Sequence, residues 1–136
     1  MSTIDLTAAT FGETISENGT VVVDFWAEWC GPCKQFGPTF SAASEDHPEI
    51  VFGKVDTDAE QQLAGEAGIS SIPTLMVFRD QILVHRSSGA LPRTSLDQLL
   101  ATVNALDMDK VRADIAAREA GEAADSAEAN SNGAVV

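Results

Sequence analysis

Val21-Val22-Val23-Asp24-Phe25-Trp26, and shortly after it Trp29-Cys30-Gly31-Pro32-Cys33-Lys34, decide how this chain is read. The first run is strongly apolar and β-branched, which marks a strand. Beyond Cys33 the apolar residues recur at helical spacing, with Phe36 and Phe40 four apart. The only two cysteines of the 136 residues therefore stand where a strand gives way to a helix. Two thiols separated by two residues can close a small disulfide ring and open it again. A helix N-terminus carries roughly half a positive charge, which stabilises a thiolate placed there. Cys30, at the mouth of the helix, is the expected nucleophile, and Cys33, one turn in, the expected resolving thiol.

Other uses of a cysteine pair fit less well. A structural zinc site takes four ligands, often two such pairs or one pair and two closely spaced histidines. Here there is no second pair, and His47 and His85 lie 38 residues apart. Haem attachment needs a histidine directly after the second cysteine, where this chain has Lys34. A permanent structural bridge over so short a loop gains little from chain entropy.

Working outward, the N-terminal side offers a short edge strand at Ile4 to Leu6, then a helix from Ala8 to Glu17 with Thr7 as its cap and Asn18-Gly19 as its stop. Val21 to Ala27 is too continuously apolar for a half-exposed strand, so it belongs in the middle of a sheet covered on both faces. Asp24 interrupts that run. It is either an outward-facing strand residue or a buried acid whose pKa is raised by desolvation and which can accept and return a proton beside a thiol pair.

On the C-terminal side a long helix runs from Cys33 to about Glu45, kinked at Pro38 and weakened by Gly37. His47 is expected to be a solvated helix-end residue. Ile50 to Asp56 is a second buried strand, in which Lys54 either snorkels outward or partners Asp24. Asp58 can cap a short helix to about Ala67, ended by Gly68. Ser71-Ile72-Pro73-Thr74 leads into a strand at Leu75 to Phe78, with a proline where a sheet tolerates one. Only about 5–6% of X–Pro bonds are cis, so the local sequence alone does not indicate a cis bond at Pro73. Arg79-Asp80-Gln81 turns into Ile82 to His85 as an antiparallel hairpin, the absence of glycine leaving the turn type open. A last helix, capped by Thr94 or Ser95, runs from Leu96 to about Leu106 with Leu96, Leu99, Leu100 and Val103 on one stripe.

The expected organisation is one domain over residues 1–106, an extra helix at 107–119 carried by Val111 and Ile115, and a disordered acidic, alanine-rich tail at 120–136. From Asp107 onward there are seven acids and three bases, a net charge of −4. The whole chain has 8 Lys plus Arg against 21 Asp plus Glu, a net −13, which speaks against nucleic-acid binding. No apolar run approaches the ~20 residues of a membrane span, and the first residues carry neither a basic region nor a signal-peptide core. A soluble protein of the cytoplasm is expected, a reducing place where a lone cysteine pair is catalytic more often than structural.

Asp24-Phe25-Trp26-Ala27, Trp29-Cys30-Gly31-Pro32-Cys33-Lys34, Pro38, Lys54, Ile72-Pro73-Thr74 and Gly89 occur in the order and spacing of one family. From about Ile4 to Leu106 the chain resembles a bacterial thioredoxin. The resemblance implies the α/β thioredoxin fold, a central mixed sheet of four to five strands flanked by helices. It implies a thiol–disulfide oxidoreductase of cell redox homeostasis and electron transport that reduces protein disulfides. No cofactor is implied beyond the reversible Cys30–Cys33 disulfide. The implied partners are a thioredoxin reductase and disulfide-containing proteins, the implied state a monomer. Cys30 would attack, Cys33 would resolve, and Asp24, linked through Lys54 or water, would manage the proton on Cys33. Gly31 and Pro32 between the cysteines are those of the reducing branch of the family. Pro73 would be cis and stacked on the cysteine pair, the Ile72 backbone would pair with an extended substrate segment, Trp26 and Trp29 would pack around the site, and Gly89 would leave room for the substrate chain. Family values, a thiol pKa of about 7 and a potential of about −270 mV, are expectations of the same kind. Departures are Gln81 where the family often has a hairpin glycine and Gly37 beside Pro38. From a different class, a redox-independent binding module using the same apolar rim is the rival, separable by replacing both cysteines.

Overall fold

The computed structural model describes the backbone of residues 2–135 and the side chains of residues 2–121. Its elements are β1 (Thr3–Asp5), α1 (Phe11–Glu17), β2 (Thr20–Trp26), α2 (Gly31–Asp46), β3 (Val51–Asp56), α3 (Gln61–Glu66), β4 (Thr74–Arg79), β5 (Ile82–Ser88), α4 (Arg93–Asn104) and α5 (Met108–Val135). The five strands form one mixed sheet in the order β1-β3-β2-β4-β5. β3 pairs in parallel with β1 and β2, while β2–β4 and β4–β5 are antiparallel. The chain divides into two compact units, Met1–Asn104 and Ala105–Val136.

β2 is the centre of the sheet, as its unbroken apolar run requires. Its side chains alternate between the two faces. Val22 joins Phe36 and Phe40 of α2, Phe52 of β3 and Leu96 and Leu100 of α4 in one buried cluster. Val21, Val23 and Phe25 join Leu6, Ile15 of α1 and Leu63 of α3 in another. Asp24 shares the face of Val22, so its carboxyl lies on the side of the sheet that α2 covers. On that face Phe36–Phe40 and Phe40–Phe52 ring contacts, with centroids 5.7 and 5.1 Å apart, fix α2 against β3. Truncating a fully buried ring such as Phe40 costs about 3–5 kcal/mol in comparable cores. At the far end of α2, Arg93 of α4 pairs with Asp46 and, at 3.0 Å, with Asp97.

Several local expectations are corrected. α1 starts at Phe11 rather than Ala8, because the Thr7 carbonyl accepts from the amides of Thr10 and Phe11 in a preceding turn. α3 starts at Gln61: the Asp56 carboxylate, not Asp58, takes the amides of Asp58 and Ala59 at 2.9 and 3.3 Å. α4 starts at Arg93, with the Pro92 carbonyl accepting from Leu96, so Thr94 and Ser95 lie inside its first turn and cap nothing. It stops at Asn104, where Arg79 donates to the carbonyls of Val103 and Asn104. His47 is half-buried rather than solvated, with Nε2 3.2 Å from Asp97 Oδ1. The β4–β5 turn places both Asp80 (φ 51°) and Gln81 (φ 71°) in the left-handed region, the pattern of a type I′ hairpin turn made without glycine.

In the second unit, the Asp107 side chain accepts from the amides of Asp109 and Lys110 and starts α5. The backbone of α5 is helical through Val135, whereas the sequence suggested a helix over 107–119 and disorder from 120. Alanine, the strongest helix former, recurs from Ala116 to Ala129 and favours helix by propensity without a face to bury. Val136 and the side chains from residue 122 on lie outside the described residues.

Candidate active site

α2 begins at the C-terminal end of the central strand, so its N-terminus points out of the top of the sheet. Cys30 is the N-cap residue, with extended backbone (φ −89°, ψ 109°), Gly31 opens the helix and Pro32 follows in its first turn. Proline is suited to a first turn, where the amide it lacks has no partner within the helix. The sulfurs of Cys30 and Cys33 are joined, with Cα atoms 5.2 Å apart. The Cys33 amide donates to Cys30 Sγ at 3.2 Å. That N–H is one of the donors a helix start leaves free, and here it faces the sulfur that would carry the negative charge. Both cysteines are nearly covered, at 4% and 3% exposure, and pack with Ala27, Trp26 and Ile72.

The loop before β4 closes the other side. The Ile72–Pro73 bond is cis. Pro73 is buried and Ile72 half-buried. Cys30 Sγ lies 3.7 Å from the Ile72 carbonyl oxygen, within reach of a thiol donor once the disulfide is open. Gly89, just past β5, has φ 102° and donates its amide to the Pro73 carbonyl at 2.8 Å. The turn needs that dihedral more than it needs empty space, because a side chain there would meet nothing within 4 Å.

Asp24 is fully buried, and neither carboxylate oxygen finds a hydrogen-bond partner among the described residues. Burial pushes its pKa from 3.8 up to about 7, and the nearby charge of Lys54 offsets part of that rise. Lys54 is Asp24's register partner on β3. Its ammonium sits 4.7 Å from the centroid of the Trp26 ring, a cation–π contact, so it acts on Asp24 through space rather than through a hydrogen bond. The outward reading of Asp24 is therefore excluded.

Trp29 is 70% exposed and its Nε1 donates to Asp58 Oδ1 at 3.3 Å. It forms one wall of an open groove of about 400 Å³ that continues along Thr57, Ala64, Ile69, Ser71 and Ile72. Asp58 and Thr57 were not singled out in the sequence for this place. No local sequence signal marks them: Asp56 takes the turn amides, and Asp58 meets the indole across 29 residues only in the folded chain. Among the described residues no group of three or more His, Cys, Asp or Glu is arranged to hold a metal ion.

Trp26 and Ile72 pack on the joined cysteine pair, Asp24 and Lys54 are register partners on β2 and β3, Trp29 lines the groove that reaches Ile72, and Gly89 holds the Pro73 carbonyl. The family model described as thioredoxin matches residues 2–102. A Streptomyces coelicolor protein described as putative thioredoxin 2 is 51% identical over 119 residues, covering 88% of this chain and 89% of the relative. Bacillus subtilis thioredoxin is 38% identical over 101 residues, 74% of this chain and 96% of its own. Among solved structures, a mutant thioredoxin from Halobacterium salinarum superposes with a TM-score of 0.72 at 28% identity, covering 77% of this chain and 93% of that one. Plasmodium falciparum thioredoxin gives 0.68 at 37% identity, with 74% and 97% covered. The chain belongs to the thioredoxin family.

Proposed function

We propose that this thiol–disulfide oxidoreductase reduces the disulfides of other proteins in the cytoplasm, as a monomer, with electrons supplied by a thioredoxin reductase. In the reduced protein the Cys30 thiolate, held by the Cys33 amide and the start of α2, attacks one sulfur of a substrate disulfide. The substrate S–S bond breaks, one substrate sulfur leaves as a thiolate that takes a proton from solvent, and a mixed disulfide joins Cys30 to the substrate. Cys33 then gives its proton, by way of Lys54 or a water, to Asp24, which at a pKa of about 7 can hold or release it at neutral pH. The Cys33 thiolate attacks Cys30 Sγ, the mixed disulfide breaks, and the second substrate thiol departs. Two electrons and two protons from the reductase reopen the Cys30–Cys33 bond. Ile72 offers its backbone to an extended substrate segment that lies in the groove beside Trp29, with cis-Pro73 and Gly89 shaping the edge it approaches. Trp26 carries Lys54, and Lys54 sets how far the Asp24 pKa rises.

The reading rests chiefly on one observation: the joined Cys30 and Cys33 sulfurs at the first turn of α2, with a buried carboxyl on the same side of the sheet. No helix among the described residues is long and apolar enough to cross a membrane. Insulin reduction with dithiothreitol as the electron source tests the assignment. Cys30→Ser is expected to abolish turnover, and Cys33→Ser to accumulate mixed disulfides. Turnover retained by Cys30→Ser removes Cys30 as the nucleophile.

A further inference from the structure

Three hydroxyls stand directly behind the cis-proline edge. Ser71 Oγ donates to Ser88 Oγ at 3.0 Å, Ser88 Oγ and Thr74 Oγ1 are 3.3 Å apart, and Thr74 Oγ1 donates to the carbonyl of Ser71. A hydroxyl has one proton to give. Thr74 has given its proton to the Ser71 carbonyl, so in the Ser88–Thr74 contact Ser88 must be the donor. Ser88 then has only lone pairs left, which is what Ser71 donates into. The direction of all three bonds is thereby fixed, and they form a closed circuit that leaves from the side chain of Ser71 and returns to its own carbonyl. Thr74 is 1% exposed, whereas Ser71 and Ser88 are on the surface. The circuit therefore anchors an exposed loop to a buried point.

The placement gives the circuit a task. Ser71 immediately precedes Ile72, whose carbonyl lies on Cys30 Sγ. Ser88 is the register partner of Thr74 at the end of β5, next to Gly89, whose amide holds the Pro73 carbonyl. Side-chain and backbone bonds thus fasten both flanks of the Ile72–Pro73 unit to the end of the same strand. Hydrogen bonds in series polarise one another and hold geometry better than isolated ones.

We propose that the Ser71–Ser88–Thr74 circuit is a positioning device for substrate docking. It holds the Ile72 edge in the geometry that an extended segment of a disulfide-containing protein pairs with, and so sets how well such substrates bind, while leaving the sulfur chemistry alone. This rests on the reading that Ile72 is the docking edge. Each residue takes part in two of the three bonds, and Ser88 is the one to perturb because, unlike Thr74, it is exposed and its side chain can be cut back without opening the core.

Steady-state insulin reduction tests it. Ser88→Ala is expected to raise KM for insulin roughly three- to tenfold, the range expected from losing a neutral hydrogen bond or two. kcat and the rate with a small disulfide such as hydroxyethyl disulfide stay within twofold. Ser88→Thr, which keeps the hydroxyl, is expected to restore KM. Adding Ser71→Ala to Ser88→Ala is expected to change KM no further, because the acceptor of Ser71 is already gone. An unchanged KM in Ser88→Ala, a failure of Ser88→Thr to rescue, or independent effects of the two serines overturns the proposal. Amide exchange at Ile72, measured by NMR in the mixed disulfide of Cys33→Ser with a cysteine-containing peptide, separates the two levels. Protection of Ile72 with an unchanged KM sinks the circuit and leaves the docking edge standing. Absence of protection removes the docking edge and the circuit's task with it.

Discussion

Replacing Asp24 by alanine should make the oxidised protein more stable, and by an amount that depends on pH. The carboxyl is fully buried with no hydrogen-bond partner among the described residues, and its pKa rises from 3.8 to about 7. Between those two values the unfolded chain has released the proton while the native state still binds it. Native stability carried by Asp24 is therefore complete below about pH 3.8, declines as pH rises, and is gone above about pH 7. At about 1.4 kcal/mol per pH unit, the interval amounts to about 4 kcal/mol. Asp24→Ala removes this dependence. Loss of packing at the vacated site is the same at every pH and cancels when two pH values are compared. Urea unfolding of wild type and Asp24→Ala at pH 4 and pH 8.5 should therefore show the variant gaining about 4 kcal/mol more at the higher pH. An equal difference at the two pH values would mean that the carboxyl titrates alike in the native and unfolded states, and the burial argument would be wrong. The same variant should reduce protein disulfides more slowly near neutrality, since Cys33 loses its proton acceptor.

Lys54→Met removes the charge that restrains the Asp24 pKa, so the midpoint of the pH–rate profile for insulin reduction should move to higher pH; a midpoint that stays or falls contradicts the coupling. Gly37→Ala should stabilise the fold by about 0.5–1 kcal/mol in denaturant titration, because the nearest atom to a new Cβ is Lys54 Nζ at 4.0 Å, an ordinary contact; a less stable variant shows that α2 needs glycine there for another reason. Gln81→Gly should relieve a left-handed backbone that costs an L-residue about 1–2 kcal/mol, partly offset by glycine's freedom in the unfolded chain. A net gain of about 0.5–1 kcal/mol in thermal or chemical unfolding is expected, and a loss would mean that the turn geometry is not strained at Gln81.

The strands and the long helix were legible because their signals are dense: the unbroken run of β2 dictates a central strand, and Phe36 with Phe40 dictates the buried face of α2. Asp24 was legible as an anomaly, a charge in the middle of that run. Helix starts were less so. Thr7, Asp58, Thr94 and Ser95 are all competent caps by type, yet a preceding turn, the neighbouring Asp56 and the Pro92 carbonyl supply the needed acceptors instead. The link between Trp29 and Asp58 joins residues 29 apart in sequence, and the Ser71–Ser88 bridge residues 17 apart. No local pattern encodes such contacts; they exist only once the sheet sets the register. The cis bond at Pro73 was implied by the family resemblance and not by the residues around it.

The central claim is that the start of α2 keeps Cys30 as a ready thiolate at neutral pH. The direct measurement is the rate of iodoacetamide alkylation of reduced protein across pH 5 to 10, with the modified residue identified by mass spectrometry. The account predicts that Cys30 is alkylated first and that the rate rises with a midpoint clearly below the ~8.5 of a free cysteine. A midpoint at or above that value, or equal labelling of Cys30 and Cys33, would contradict it.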